Sequence, residues 1–240
     1  MPESVRVMPF FFIHIPKTAG TSIRATFNAH FSEERVLGLY PSAPFEPLDR
    51  RNVDAMAPDA YDLFIGHERL GEIEKYALFD QCVFMTMLRN PMDRVISYYN
   101  HAMVLFPRYA ENKIALDEFL EEDNYELDNL QVRYLSSCPK ERKVEESDLH
   151  EAISNVEQKI SYCGIQELFG ESSRIFAELI GASPSSFSIR ANVSQGGISR
   201  SDISADTVER IKSRSRFDYV LYDRALTLHR QRISAGTQGG

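Results

Sequence analysis

Phe10-Phe11-Phe12-Ile13-His14-Ile15-Pro16-Lys17-Thr18-Ala19-Gly20-Thr21-Ser22 is the stretch whose reading decides the fold. Its near-continuous apolar start suits a central parallel strand that is covered on both faces. A loop of small residues follows, Pro16 to Ser22. A helical pattern then runs from about Thr21 to Phe31, with Ile23 and Phe27 four apart. Strand, tight loop and helix start form the layout of an anion site, because the first-turn N–H groups lack partners and the helix dipole favours negative charge. Thr21 and Ser22 add hydroxyls, and Lys17 adds a mobile positive charge. The triphosphate-binding loop needs GxxxxGK followed by Ser or Thr. Here Lys17 precedes the only glycine of the loop, Gly20. Taken alone, the segment also fits a plain strand-to-helix turn with a surface lysine.

Two further strands end in polar residues. Tyr61 to Ile65 is a short strand that stops at Gly66-His67. Gln81 to Leu88 is the strongest strand pattern, and it stops at Arg89-Asn90-Pro91. Pro91 suits the first turn of a helix that reaches about Ala102. Four prolines (Pro41, Pro44, Pro47, Pro58) make 39–58 an irregular connection. Downstream, helical patterns cover 115–122, 127–134, 148–156, 168–179, 205–212 and 218–232. A strand is expected at 161–165 and a Ser/Gly-rich loop at 183–200. Alternating strands and helices predict an α/β, P-loop-like three-layer fold, a central, mainly parallel sheet flanked by helices. With no internal repeat and no linker, residues 1–240 read as one domain. Ligands in such sheets bind beyond the carboxyl ends of the strands, and Lys17, His67 and Arg89 stand at three of those ends.

Arg89 can fork onto a phosphate. Ser97, about two helical turns further on, can add a hydroxyl, while Arg94 is expected to make local salt bridges. A lone histidine such as His67 is more often structural. Its ordinary pKa of about 6.5 nevertheless suits proton removal near neutral pH. Glu68 is directed to the opposite face of the strand. His14 is expected to be packed. His30, His101, His150 and His229 have no motif support. The acidic run from Asp117 to Asp128 reads as a solvated helix face.

Together, His14 to Ser22 and Arg89-Asn90-Pro91-Met92-Asp93-Arg94-Val95-Ile96-Ser97-Tyr98-Tyr99 resemble the sulfotransferase family, specifically its carbohydrate branch similar to heparan sulfate 2-O-sulfotransferases. The resemblance implies 3′-phosphoadenosine 5′-phosphosulfate (PAPS) as donor. It implies that Lys17, Thr18, Ala19, Gly20, Thr21 and Ser22 hold the 5′-phosphosulfate, and that Arg89 and Ser97 hold the 3′-phosphate. A Gly-His at the place of Gly66-His67 supplies the catalytic base in the similar enzymes. Weaker echoes follow in Asp128 to Tyr134, in Gly164 to Glu167 with Phe169, and in Asn192-Val193-Ser194 followed by Arg200, which is similar to a donor-covering loop. The expected reaction is in-line transfer of a sulfuryl group to an acceptor hydroxyl on a glycan or glycolipid. His67 takes the acceptor proton, Lys17 and the loop N–H groups meet the charge of the departing bisphosphate, and no metal is required. The alternatives are a kinase-like P-loop phosphotransferase using ATP and Mg²⁺ and a non-catalytic binder of 3′,5′-bisphosphoadenosine.

Composition narrows the class further. The 240 residues are 43% hydrophobic and 26% charged, which excludes a disordered chain. No apolar run is long enough to span a membrane. The net charge of −8 argues against nucleic acid and favours a neutral acceptor over a highly sulfated polymer. Cys82, Cys138 and Cys163 are dispersed and odd in number, as in a reducing compartment. The expectation is a soluble, cytoplasmic enzyme.

Overall fold

The computed structural model describes residues 8–41, 46–48, 51–57, 59–183 and 197–236. Asn192, Val193 and Ser194, together with Pro44 and Pro58, lie outside the described residues. Five parallel strands form one sheet: β1 (Phe10–Ile13), β2 (Val36–Leu39), β3 (Leu63–Gly66), β4 (Val83–Leu88) and β5 (Ile160–Ile165), in the order β2-β3-β1-β4-β5. In chain order the helices are α1 (Gly20–His30), α2 (Leu70–Ile73), α3 (Pro91–Leu105), α4 (Pro107–Asn112), α5 (Leu116–Phe119), α6 (Leu130–Tyr134), α7 (Glu146–Gln158), α8 (Phe169–Ile180), α9 (Ala205–Arg214) and α10 (Arg216–Gly236).

The apolar run of β1 is continuous because both faces of the strand are covered. Phe10 and Phe12 lie with Ile23 and Phe27 of α1 and Phe176 of α8. The Phe12 ring meets Phe27 and Phe176 edge-on, with centroids 5.5 and 5.7 Å apart. Phe11 and Ile13 point the other way, among Leu149, Ala152 and Val156 of α7 and Leu221 of α10. Alternation of side chains along a strand thus produces the three layers. Each fully buried Phe or Ile contributes about 1.5–3 kcal/mol relative to exposure.

Several elements differ from the sequence expectation. Strand β2 has no counterpart in it, and Leu39, read there as the start of an irregular connection, is the strand's last residue. Helix α3 runs on to Leu105. The pattern at 115–122 is helical only over Leu116–Phe119. The helix expected at 127–134 is interrupted by Asn129, whose φ of 45° is left-handed. A 3-10 turn, Tyr125–Leu127, precedes that break.

Register sets the positions that matter. Ile13 lies beside Gly66 on one side and Thr86 on the other. His67 is therefore level with His14, and Arg89 with Pro16. Parallel pairing brings all three polar strand ends to one edge of the sheet.

Candidate active site

Between β1 and α1 the chain turns sharply. Lys17 (φ 69°) and Ala19 (φ 67°) are both left-handed without being glycine. Such conformations cost of order 1–3 kcal/mol each and cluster at functional sites. The buried Thr18 side chain stabilises the turn, donating its hydroxyl to the Ile15 carbonyl at 2.9 Å. The Ala19 carbonyl accepts from Ser22 and Ile23, which starts α1. The N–H groups of Gly20 and Thr21 belong to the unpaired first turn. Thr21 is exposed and Ser22 is buried. Gly20 is required by close approach: a Cβ there would lie 1.9 Å from Cδ2 and Nε2 of His14.

Arg89 reaches this loop directly. Its Nη1 donates to the Lys17 carbonyl at 3.1 Å. Its buried Nε has no hydrogen-bond partner among the described residues. Burial, then the Arg89 charge beside it, lowers the Lys17 pKa. Burial likewise lowers that of Arg89. Two desolvated cations that repel each other, one with an orphaned donor, form a site short of an anion.

The Arg89 backbone is held by Gln131 of α6, which is fully buried. Arg89 N–H donates to Gln131 Oε1, and Gln131 Nε2 donates to the Arg89 carbonyl, both at 2.9 Å. Glu167 accepts from the Asn90 N–H at 2.8 Å and from the Tyr222 hydroxyl at 3.0 Å. Asn90 caps α3 through the Met92 N–H. Ser97 is half-buried two turns into α3, on the flank that also carries Asp93 and Asn100. Arg200 comes to the same end, where its Nη2 donates to Asp93 Oδ2 at 2.8 Å and to Asn90 Oδ1 at 2.6 Å.

Arg94 behaves differently from the expected local ion pair. It is fully buried and donates to the Glu126 carbonyl at 2.5 Å. Its charge lies near the buried carboxyls of Glu126 and Asp218, both pushed up by burial, Asp218 to about 6.

On the other side of the loop, His67 Nδ1 lies 2.7 Å from the His14 carbonyl. A carbonyl only accepts, so the proton is on Nδ1 and Nε2 keeps its lone pair. Burial lowers the His67 pKa, partly offset by this hydrogen bond. The imidazole is thus held neutral, as a base requires. Glu68 is engaged elsewhere, accepting from the Leu48 N–H at 2.9 Å. His14 is packed as expected, 8% exposed.

Lys17 to Ser22, Arg89, Ser97, Arg200 and His67 therefore share one edge of the sheet. The sequence reading left Gln131, Glu167 and Tyr40 without roles. Gln131 and Glu167 fell within the two downstream segments singled out by resemblance. Tyr40 follows the strand that was not foreseen. Among the described residues no group of three or more His, Cys, Asp or Glu side chains could hold a metal ion, and no helix is long and apolar enough to cross a membrane.

The site is thus a tight strand-to-helix turn at the edge of a parallel α/β sheet, with the cations Lys17 and Arg89 brought together beside it. The pattern of the Sulfotransferase family matches residues 6–223, and the chain belongs to that family. No curated protein matches the chain. Among solved structures, mouse sulfotransferase SULT7A1 complexed with PAP aligns with a TM-score of 0.47 at 11% identity. The alignment covers 90% of this chain and 66% of the mouse chain, so this chain spans just under two thirds of that protein's length.

Proposed function

We propose that this chain, as one domain, moves a sulfuryl group from PAPS to a carbohydrate hydroxyl by in-line displacement, with His67 as base. When bound, PAPS supplies an activated sulfuryl group on a good leaving group. The observation that carries the reading is the pair Lys17 and Arg89, two partly buried cations joined through the Lys17 carbonyl, with the orphaned Arg89 Nε between strand ends. Lys17, with the backbone N–H groups of Thr18 to Thr21 and the hydroxyls of Thr21 and Ser22, receives the 5′ end. Thr18 takes part through its backbone, since its hydroxyl is committed to Ile15. Arg89 and Ser97 receive the 3′-phosphate, with Arg200 beside them at the Asn90–Asp93 end of α3. Preorganised donors of this kind are typically worth about 10²–10³ in rate each.

His67 Nε2 takes the acceptor proton, a contribution of about 10²–10⁴. The hydrogen bond from Nδ1 to the His14 carbonyl fixes the tautomer that does so. For the acceptor, the net charge of −8 supports a neutral glycan or glycolipid over a highly sulfated polymer. The three free cysteines support a reducing compartment, the cytoplasm.

The test is a panel of glycans, glycolipids and small hydroxylated metabolites incubated with PAPS and read by mass spectrometry for added sulfate. Transfer to a carbohydrate that disappears in His67→Ala, with bisphosphate affinity retained, is the expected result. Undiminished transfer by His67→Ala removes the base, and no transfer to any acceptor favours a non-catalytic binder.

A further inference from the structure

The residues around His67 form a closed set of contacts that binding of the donor does not explain. The His14 ring touches three things at once. Its Nδ1 lies 3.0 Å from the Tyr40 hydroxyl. Its face lies against His67, with centroids 4.4 Å apart. Its Cδ2–Nε2 edge fills the space where any side chain on residue 20 would begin. Tyr40 packs on both rings, edge-on to His67 at 4.8 Å and to His14 at 5.7 Å. Above Tyr40 sits the Arg24 guanidinium, 5.5 Å from the ring centroid, one turn into α1 from Gly20.

We propose that Tyr40 and His14 are positioning residues for the reaction: the Tyr40 hydroxyl holds the His14 ring as a wedge between His67 and the anion loop, fixing the distance and angle from the base to the transferred group. The inference rests on the reading of His67 as base. The geometry suits a wedge. His14 belongs to the end of β1, Tyr40 to the end of β2, Gly20 to the start of α1 and His67 to the end of β3, so one ring gauges four segments. A wedge must also keep its charge constant while its neighbour gains a proton. His14 is held neutral by burial first, then by the charges of His67, Arg24 and Lys17. The polar groups facing His67 are His14, Tyr40 and Arg24, because the neighbouring Glu68 is tied to Leu48.

Tyr40→Phe removes only the hydroxyl, and His14→Ala removes the wedge. Small misplacements of a reacting group cost up to about 10²-fold. Tyr40→Phe is expected to lower kcat about tenfold and His14→Ala about a hundredfold, with the KM for PAPS within about twofold. In both variants the His14 ring no longer holds its place over His67, so water reaches the imidazole and the acid limb of kcat/KM moves up toward the ordinary imidazole value near 6.5. A readout independent of turnover is the NMR titration of His67 in the free protein, which should show the Nδ1–H tautomer in wild type and an upward shift in Tyr40→Phe. Wild-type kcat and an unmoved acid limb in Tyr40→Phe, even with a lowered Tm, would overturn the proposal, because a merely structural role changes stability alone. Should His14→Ala fail to fold, the Tyr40→Phe titration decides. His67→Ala separates the two readings. If it is inactive while Tyr40→Phe titrates like wild type, the wedge fails and the base stands; if it is fully active, both fail.

Discussion

Gly20→Ala tests the tightest contact of the site. The new Cβ would lie 1.9 Å from two His14 ring atoms and 2.6 Å from a third. Carbon atoms in contact prefer about 3.5–4.0 Å, so the ring must retreat by roughly 1.5–2 Å. It has little room, being 8% exposed and boxed by His67 and Tyr40, so it must press on one of those rings. Overpacking of this kind costs about 1–3 kcal/mol, against at most about 1 kcal/mol gained from the better helix propensity of alanine. An overlap this deep falls at the upper end of that cost, about 2–3 kcal/mol, so the net loss is about 1–2 kcal/mol, or a fall in Tm of roughly 2–8 °C for a chain of this size. Pressure on either ring reaches His67, directly or through Tyr40, so kcat should fall by up to about 10²-fold. Differential scanning calorimetry and steady-state kinetics measure the two effects. Adding His14→Ala removes the obstacle, so the double variant should be more stable than the sum of the single changes by at least about 0.5 kcal/mol. Wild-type Tm and kcat in Gly20→Ala, or strict additivity in the double variant, would refute the reasoning.

Other consequences follow from the hydrogen bonds that hold the third strand end. Gln131→Leu leaves the Arg89 N–H and carbonyl without their partner, costing about 1–3 kcal/mol for each buried group, and calorimetry with 3′,5′-bisphosphoadenosine should show weakened binding; an unchanged affinity would count against the bracket. Arg200→Ala breaks an exposed pair with Asp93, so stability should change by no more than about 1 kcal/mol while bisphosphate affinity falls several-fold; equal affinity removes Arg200 from the donor site. Asp218 carries a pH signature. Its pKa is raised by burial from 3.8 to about 6, so between those values the folded state keeps a proton that the unfolded state has lost. Its contribution to stability therefore declines as pH rises through that window and is level above about 6. In Asp218→Asn, urea melts between those pH values should lose this part of the slope, and a slope identical to wild type would contradict the assignment.

What was legible in the sequence follows from how local the cause is. Strands β1 and β4 are buried on both faces, and their apolar runs say so directly. The loop from Lys17 to Ser22 and the Arg89-Asn90-Pro91 turn are contiguous, so their chemistry can be read without the fold. Strand β2 could not be read that way. It has four residues, includes Gly38, and is recognisable only through pairing with β3, where a Cβ on Gly66 would lie 2.0 Å from the Leu39 carbonyl. Tyr40 was lost with it. Arg94 was misread because its charged neighbours Glu126 and Asp218 arrive from distant segments. Gln131 lay in a segment marked by resemblance, but its two hydrogen bonds to Arg89 span 42 residues.

The central claim is that the loop after β1 and the turn after β4 hold the two ends of one bisphosphorylated adenosine. A crystal structure of the protein soaked with 3′,5′-bisphosphoadenosine tests this most directly. The account requires the 5′-phosphate on the N–H groups of the Lys17 to Ser22 loop and the 3′-phosphate on Arg89, with the guanidinium Nε now bonded. A nucleotide bound elsewhere, or one that leaves Arg89 untouched, would contradict it.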